Sequence, residues 1–320
     1  MKGAVIMTTV IASAGLAVNE RVEIRRNRIT GRSTEKPSGK RVCIVTGTHG
    51  DELEGQYVCA ETARILGENL SNLNGTVDIY PAINPLGIDS ITRGIPLFDL
   101  DMNRIFPGTA DGTMAECLAA DIISDISGAD ICIDIHSSNI YLKEIPQIRI
   151  NEISADELVP YAKMLNCDFI WIHSAATVLE STLAYSLNVT GTKTLVVEMG
   201  VGMRITKEYC RQLTAGIFNL LKNLGMWTGE VEEVREPIVS GEGTVEFVNS
   251  DADGIFVPCV EHWVEIEKGE HIGDVINPTT GQTVELVTAP CRGKIFTLRE
   301  FPIVYGGSLI ARILGGEENA

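Results

Sequence analysis

The chain has 320 residues, long enough for more than one compact core, with 44% hydrophobic and 22% charged residues, as in ordinary soluble proteins. A formal net charge of −17 repels phosphates, which argues against nucleic acid as a partner. Apart from an N-terminal run, no stretch is long and apolar enough to span a membrane, so the expected location is the cytoplasm.

That run, residues 4–18, follows Lys2, and Ala12-Ser13-Ala14 resembles a cleavage site, which leaves a signal peptide open. Thr8, Thr9, Ser13 and Gly15 dilute it, and β-structure is the favoured reading. The arginine-rich stretch 21–32 alternates like a strand. Residues 41–46 form a short, continuously apolar strand of the buried parallel type, followed by a helix over 51–70 with Leu53, Tyr57, Ala60, Ala63 and Leu66 near helical spacing. A strand over 76–82 leads into a long loop, 84–113, rich in Gly, Pro, Asp and Asn, and loops of that length are usually functional. Helices follow over 114–126, 155–165 and 206–224, with strands over 130–135, 169–172 and 193–197. The alternation predicts an α/β domain over 1–228, with a mostly parallel sheet flanked by helices. From 229 to 320 only short β-rich runs remain (243–248, 254–258, 262–266, 283–287 and 294–298), which predict a smaller all-β domain, barrel- or sandwich-like. The end, 315–320, reads as a loose acidic tail.

The eight cysteines form no CxxC pair, and most sit in apolar runs. They read as small core residues in a reducing compartment, not as a disulfide framework.

The strongest local signal is Gly47-Thr48-His49-Gly50-Asp51-Glu52, which leaves a buried strand and opens a helix. A loop end and a first helical turn can aim His49 and Glu52 at one point. Asp134-Ile135-His136-Ser137 ends another buried strand, and strand ends of open α/β sheets are where ligands bind. Two imidazoles and one carboxylate make a catalytic zinc set with one position left open, so His49, Glu52 and His136 are candidates to hold one zinc ion per chain; the alternative is a chance His-x-x-Glu and a strand-end His136 bonded to backbone. His173, His262 and His271 compete poorly as ligands: His173 has no acidic partner at ligand spacing, and the other two read as surface or turn residues.

With these motifs the chain resembles the zinc carboxypeptidase superfamily, and within it the succinylglutamate desuccinylase and aspartoacylase group. His49-Gly50-Asp51-Glu52, Asp101-Met102-Asn103-Arg104, Asp134-Ile135-His136-Ser137 and Val196-Val197-Glu198-Met199-Gly200 are similar to that group's motifs in their order, over about residues 41–205. The resemblance implies a zinc carboxypeptidase-like fold and metal-assisted hydrolysis of an amide. It implies that Glu198 is general base to the attacking water and then acid to the leaving amine. It further implies that Arg93 stabilises the oxyanion, that Asn103 and Arg104 hold a substrate carboxylate, and that Asp101 accepts the free N–H of a zinc histidine, expected to be His49.

The His-Gly-Asp-Glu form and the β-rich C-terminal region tilt the reading to a deacylase on a small, anionic N-acyl amino acid such as an N-acetyl or N-succinyl amino acid. Arg149 is a candidate for a further acidic group of the substrate, with a strand-surface role as its alternative, and Tyr305 is a weaker candidate from the C-terminal region. The competing readings are a metallocarboxypeptidase on short peptides and a non-enzymatic ligand-binding member. The exposed edges of a β domain can also pair into a homo-oligomer.

Overall fold

The computed structural model describes residues 5–31, 38–173, 180–240 and 245–315. The expected acidic tail beyond Gly315, Lys2 and the first residue of the N-terminal run, Ala4, lie outside these residues. The chain opens with a hairpin of β1 (Val5–Gly15) and β2 (Arg21–Thr30), so the N-terminal apolar run is β-structure. Next come β3 (Arg41–Thr46), α1 (Glu54–Glu68), β4 (Thr76–Tyr80), the short α2 (Pro85–Ser90), α3 (Met114–Ile126) and β5 (Ile131–His136). Then follow β6 (Leu142–Asn151), α4 (Ala155–Ala162), β7 (Phe169–His173), α5 (Leu183–Val189), β8 (Lys193–Gly200) and α6 (Lys207–Asn223).

Parallel pairing joins β4, β3, β5 and β8 at the centre of a mixed sheet. Every side chain of β5 is buried, as a central strand covered on both faces requires. One face packs α1, α4 and α6 through Val58, Leu66, Leu158, Leu213 and Ile217, and the other packs α3 and α5 through Leu118, Ile122, Leu183 and Leu187. Burying each such side chain contributes about 1.5–3 kcal/mol. The helix over α1 begins at Glu54, three residues later than expected, and Ala60 faces solvent while Val58 and Cys59 are buried. The expected inward stripe is therefore rotated, and Glu52 lies in the loop before the helix.

Residues 84–113 are less irregular than their composition suggests, since α2 and a 3₁₀ turn, Met102–Arg104, interrupt the loop. The helix after it starts at a capping box: Thr113 Oγ1 accepts from Glu116 N, and Thr113 N donates to Glu116 Oε2 at 2.8 Å. Thr113→Ala is expected to cost about 1 kcal/mol, read as a lower urea midpoint with unchanged activity.

The C-terminal strands are β9 (Ile238–Ser240), β10 (Val245–Asn249), β11 (Gly254–Pro258), β12 (Glu265–Ile266), β13 (His271–Asn277), β14 (Gln282–Thr288), β15 (Gly293–Arg299), β16 (Ile303–Val304) and β17 (Leu309–Gly315). Four of them form a separate antiparallel sheet, ordered β14-β13-β11-β16. The strands β15, β17 and β10 instead extend the main sheet, because β15 pairs antiparallel with β6. Both groups of strands supply one apolar core that includes Phe256, Val275, Ile295 and Ile310. None of the eight cysteines is bridged, and five of them are buried. Among the described residues no helix is long and apolar enough to cross a membrane.

Candidate active site

Two central strands end at the same rim. In the parallel ladder of β5 and β8, His136 lies directly opposite Glu198, and two residues back Asp134 lies opposite Val196. Residues two apart on a strand share a face, so Asp134 and His136 point the same way, as do Val196 and Glu198. The next strand adds Arg149 opposite Val196, and β7 adds Trp171 opposite Arg149. The loop after β3 brings His49 and Glu52 to this rim.

His49, Glu52 and His136 converge. Their ligand atoms lie within 4.8 Å of one another, and all three residues are buried. His49 Nδ1 is 2.8 Å from Glu52 Oε1, His136 Nδ1 is 3.0 Å from Glu52 Oε2, and the two Nδ1 atoms are 3.3 Å apart. Ligands of a tetrahedral zinc at about 2.0–2.1 Å sit roughly 3.3 Å from each other, so the nitrogen pair already has the spacing of such a shell. The distal nitrogens are supported too. His49 Nε2 is 3.0 Å from Asp101 Oδ1, and His136 Nε2 is 3.1 Å from Asp134 Oδ2, a contact too poorly aligned for a hydrogen bond. The cluster fits a divalent metal: two nitrogens and a carboxylate face one point, and a carboxylate stands behind each imidazole.

Electrostatics bind the cluster together without an ion. Burial opposes charge on His49, but the Glu52 carboxylate and the Asp101 bond outweigh it and raise its pKa. The same contest raises His136, with Asp134 and Glu52 prevailing over desolvation. Desolvation pushes Glu52 upward, yet the two imidazoles hold it well below the usual carboxylate range. Asp101 is lowered in the same way, with its bond to His49 overcoming burial.

Gly50 matters for close approach. A Cβ there would lie 1.9 Å from the backbone carbon of Gly87 in α2, and Gly50 N donates to Thr92 O at 3.0 Å. Gly50→Ala is expected to push the His49–Glu52 loop off its helix and to cost at least about 1–3 kcal/mol, measured as a lower melting temperature with weaker metal retention.

Glu198 is 9% exposed at the end of β8. Its Oε2 accepts from Ser138 N at 2.6 Å, and Arg149 Nη1 stands 3.4 Å from Oε1. Arg93 donates to Glu52 Oε1 and to Ser138 O, each at 3.1 Å, with its Nε 3.4 Å from Asp101 Oδ2. Asn103 spends its side-chain oxygen on Leu183 N at 3.0 Å, which leaves its amide hydrogens for a ligand, and Arg104 is exposed. Glu52, Arg93, Asn103, Arg104, Ser138, Arg149 and Glu198 line one cavity of about 990 Å³. Tyr305 is 66% exposed and stands outside the lining residues. The C-terminal region instead reaches the cavity through Val245, Phe247 and Arg312. His262, expected at a surface turn, is half-buried between Tyr209 and the Phe296 carbonyl. Asp134 has no role assigned by the sequence motifs, although its i,i+2 relation to His136 is a usable signal. Nothing local marked Arg312.

Over residues 38–224 the sequence matches the profile of the succinylglutamate desuccinylase/aspartoacylase catalytic domain. The chain belongs to this family. An N-alpha-acetyl-L-2,4-diaminobutyric acid deacetylase from Halomonas elongata is 25% identical over 285 residues, which span 84% of this chain and 80% of the relative. The fold is shared with solved structures. A succinylglutamate desuccinylase from Silicibacter sp. TM1040 superposes with a TM-score of 0.82 at 20% identity, over 98% of this chain and 95% of the other. An ectoine utilization protein from Ruegeria pomeroyi, solved with product bound, gives 0.81 at 20% identity, over 98% and 96%. The mixed α/β sheet and the separate C-terminal antiparallel sheet match this family's structures.

Proposed function

We propose that this family member is a zinc-dependent amide hydrolase that removes the acyl group from a small, anionic N-acyl amino acid. The observation that carries the reading is the register of β5 and β8. It sets Glu198, a carboxylate outside the metal cluster, beside His136 at the rim of a cavity that Arg93, Asn103 and Arg104 also line. The deacetylase named above, an enzyme of N-acyl amino acid chemistry, supports it.

In this reading one zinc ion per chain is held by His49, Glu52 and His136. Bound there, it lowers the pKa of a water toward about 7 and polarises the substrate carbonyl. Glu198 accepts a proton from the attacking water and returns it to the departing nitrogen. Ser138 N and Arg149 hold the Glu198 carboxylate in place for both transfers. Arg93 turns from Glu52 to the developing oxyanion. Asn103 and Arg104 take the substrate carboxylate, for which a planar guanidinium fork is suited, and Arg149 faces a further acidic group. Asp101 fixes the tautomer of His49. Residues 1–228 carry this chemistry, and residues 229–320 narrow access to it.

The test is a panel of N-acetyl and N-succinyl amino acids beside dipeptides, run on protein whose zinc content is measured in the same sample. The expected result is one zinc per chain and amine release from an N-acyl amino acid. Turnover of dipeptides alone would move the reading to a carboxypeptidase, and no turnover with full zinc would move it to a binding protein.

A further inference from the structure

The proposed chemistry leaves one wholly buried carboxylate next to the cavity without a part. Glu144 of β6 is 0% exposed and has four donors. Gln147 Nε2 donates to its Oε2 at 2.7 Å, and the Thr297 hydroxyl donates to the same oxygen at 2.5 Å. Arg149 Nη2 and Arg312 Nη1 donate to Oε1 at 3.2 and 2.8 Å. Desolvation opposes the charge, yet Arg312 and Arg149 prevail and hold the carboxyl below its ordinary pKa. A buried carboxylate satisfied this fully is a rigid anchor.

Its place in the sheet gives the anchor a direction. Across the strands, Gly200 of β8 pairs with Glu144 of β6, Glu144 with Thr297 of β15, and Thr297 with Arg312 of β17. One row therefore runs from two residues beyond Glu198 to the last strand of the chain. The ladder between β6 and β8 is irregular between Glu144 and Gln147. That irregularity frees the Glu144 and Arg149 side chains from strict alternation and lets them meet. Arg149 then has its two terminal nitrogens on two carboxylates, Nη2 on Glu144 and Nη1 near Glu198. Both guanidiniums also lie over the Trp171 ring, Arg149 at 5.6 Å and Arg312 at 5.8 Å from its centre, which limits their other orientations.

We infer that Glu144 is a positioning residue for Glu198, acting through Arg149, and that the C-terminal strands serve catalysis by holding Glu144 with Thr297 and Arg312. The inference rests on the proposed role of Glu198. It gives the C-terminal region a part beyond narrowing the entrance: without Thr297 and Arg312, Glu144 keeps only its two donors on β6.

Thr297 is the site to test, because it is buried, lies outside the cavity lining and contacts no residue assigned to substrate. Thr297→Val keeps the shape and removes one donor, whereas Thr297→Ser keeps the hydroxyl. Thr297→Val is expected to lower kcat roughly tenfold to a hundredfold, with zinc content unchanged and any change in KM, through Arg149, smaller than that in kcat, the scale at which small misplacements act. Thr297→Ser is expected to restore kcat. In parallel, the side-chain ¹⁵N resonance of the Arg149 guanidinium, assigned by its loss in Arg149→Lys, is expected to shift in Thr297→Val but not in Thr297→Ser. Wild-type kcat together with an unmoved Arg149 resonance in Thr297→Val overturns the inference, as does a change confined to KM. If the wild-type protein hydrolyses no N-acyl amino acid, the function proposed above fails, and the Arg149 resonance alone still decides whether the row holds this guanidinium. Glu144→Gln is the second variant. It removes the charge that separates the two arginines, and is expected to shift the same resonance further at a lower melting temperature.

Discussion

Glu198→Gln is expected to keep its zinc and to lose kcat by roughly 10²–10⁴-fold on whichever N-acyl amino acid the wild-type protein cleaves best. That range is the usual contribution of a positioned general base. The substitution suits the question because glutamine preserves what holds the side chain. An amide oxygen can still accept from Ser138 N, now 2.6 Å from the carboxylate, so the rotamer survives. What is lost is the second oxygen near Arg149 and the capacity to take a proton. The β5–β8 ladder that sets Glu198 opposite His136 is made of main-chain bonds and does not depend on the charge. Because Glu198 is not among the clustered ligands, metal content measured on the same sample should equal that of the wild type. A variant with full zinc and near-normal kcat would remove Glu198 from the chemistry. A variant that also lost its zinc would show that the carboxylate supports the metal instead.

The legible part of this site was made of short-range geometry. His49 and Glu52 are three residues apart in one loop, and His136 ends an unmistakably buried strand, so strand-end logic alone was enough to nominate them. Asp101 to Arg104 could be nominated only by resemblance, since in isolation they read as a solvated polar loop. The structure shows why that loop is ordered: Asp101 Oδ1 accepts from Asn103 N at 2.9 Å while it faces His49. The main sheet was legible where strands are short and continuously apolar, as in β3, β5 and β8. The bounds of β6 are not legible, although Arg149 has a strand-surface reading, because Leu142–Asn151 carries Lys143, Glu144, Pro146 and Arg149 in a pattern that is neither apolar nor cleanly alternating. Those same residues carry the bulge and the ion-pair network, so the irregularity that hid the strand belongs to its part in the site. The joining of β15 to β6 was also out of reach, because pairing between strands some 150 residues apart in sequence leaves no local signature. The β-rich C-terminal composition was clear from the turn spacing, but not the fact that part of it continues the main sheet.

His49→Ala is expected to weaken zinc binding by more than about 10²-fold, since loss of a supporting contact behind a ligand alone costs 10–100-fold. The direct measurement is zinc retained after dialysis, and the confirming one is the rise in melting temperature when zinc is added. For a site that binds only the folded chain, ligand at 1,000 times its dissociation constant adds about 4.1 kcal/mol, which falls to about 1.4 kcal/mol or less in a variant weakened by 10²-fold or more. The pH dependence has a definite sign. In the metal-free protein both imidazole pKa values are raised by their carboxylate neighbours, and that of Glu52 is depressed. The histidine contribution to stability is then fully present below their unfolded value of about 6.5 and is lost as pH climbs through the raised folded values. The Glu52 contribution runs the other way, present above about 4.3 and lost as pH falls through the depressed value. Zinc requires neutral imidazoles, so it must displace the protons that the metal-free cluster holds. Affinity should therefore rise with pH, by up to about tenfold per pH unit for each proton displaced, until the raised histidine values are passed. Zinc should add more to the melting temperature near pH 8 than near pH 6, whereas the contribution of His49 and His136 to metal-free stability runs the opposite way over the same interval. An affinity independent of pH would mean that the two imidazoles are not the groups the metal competes for.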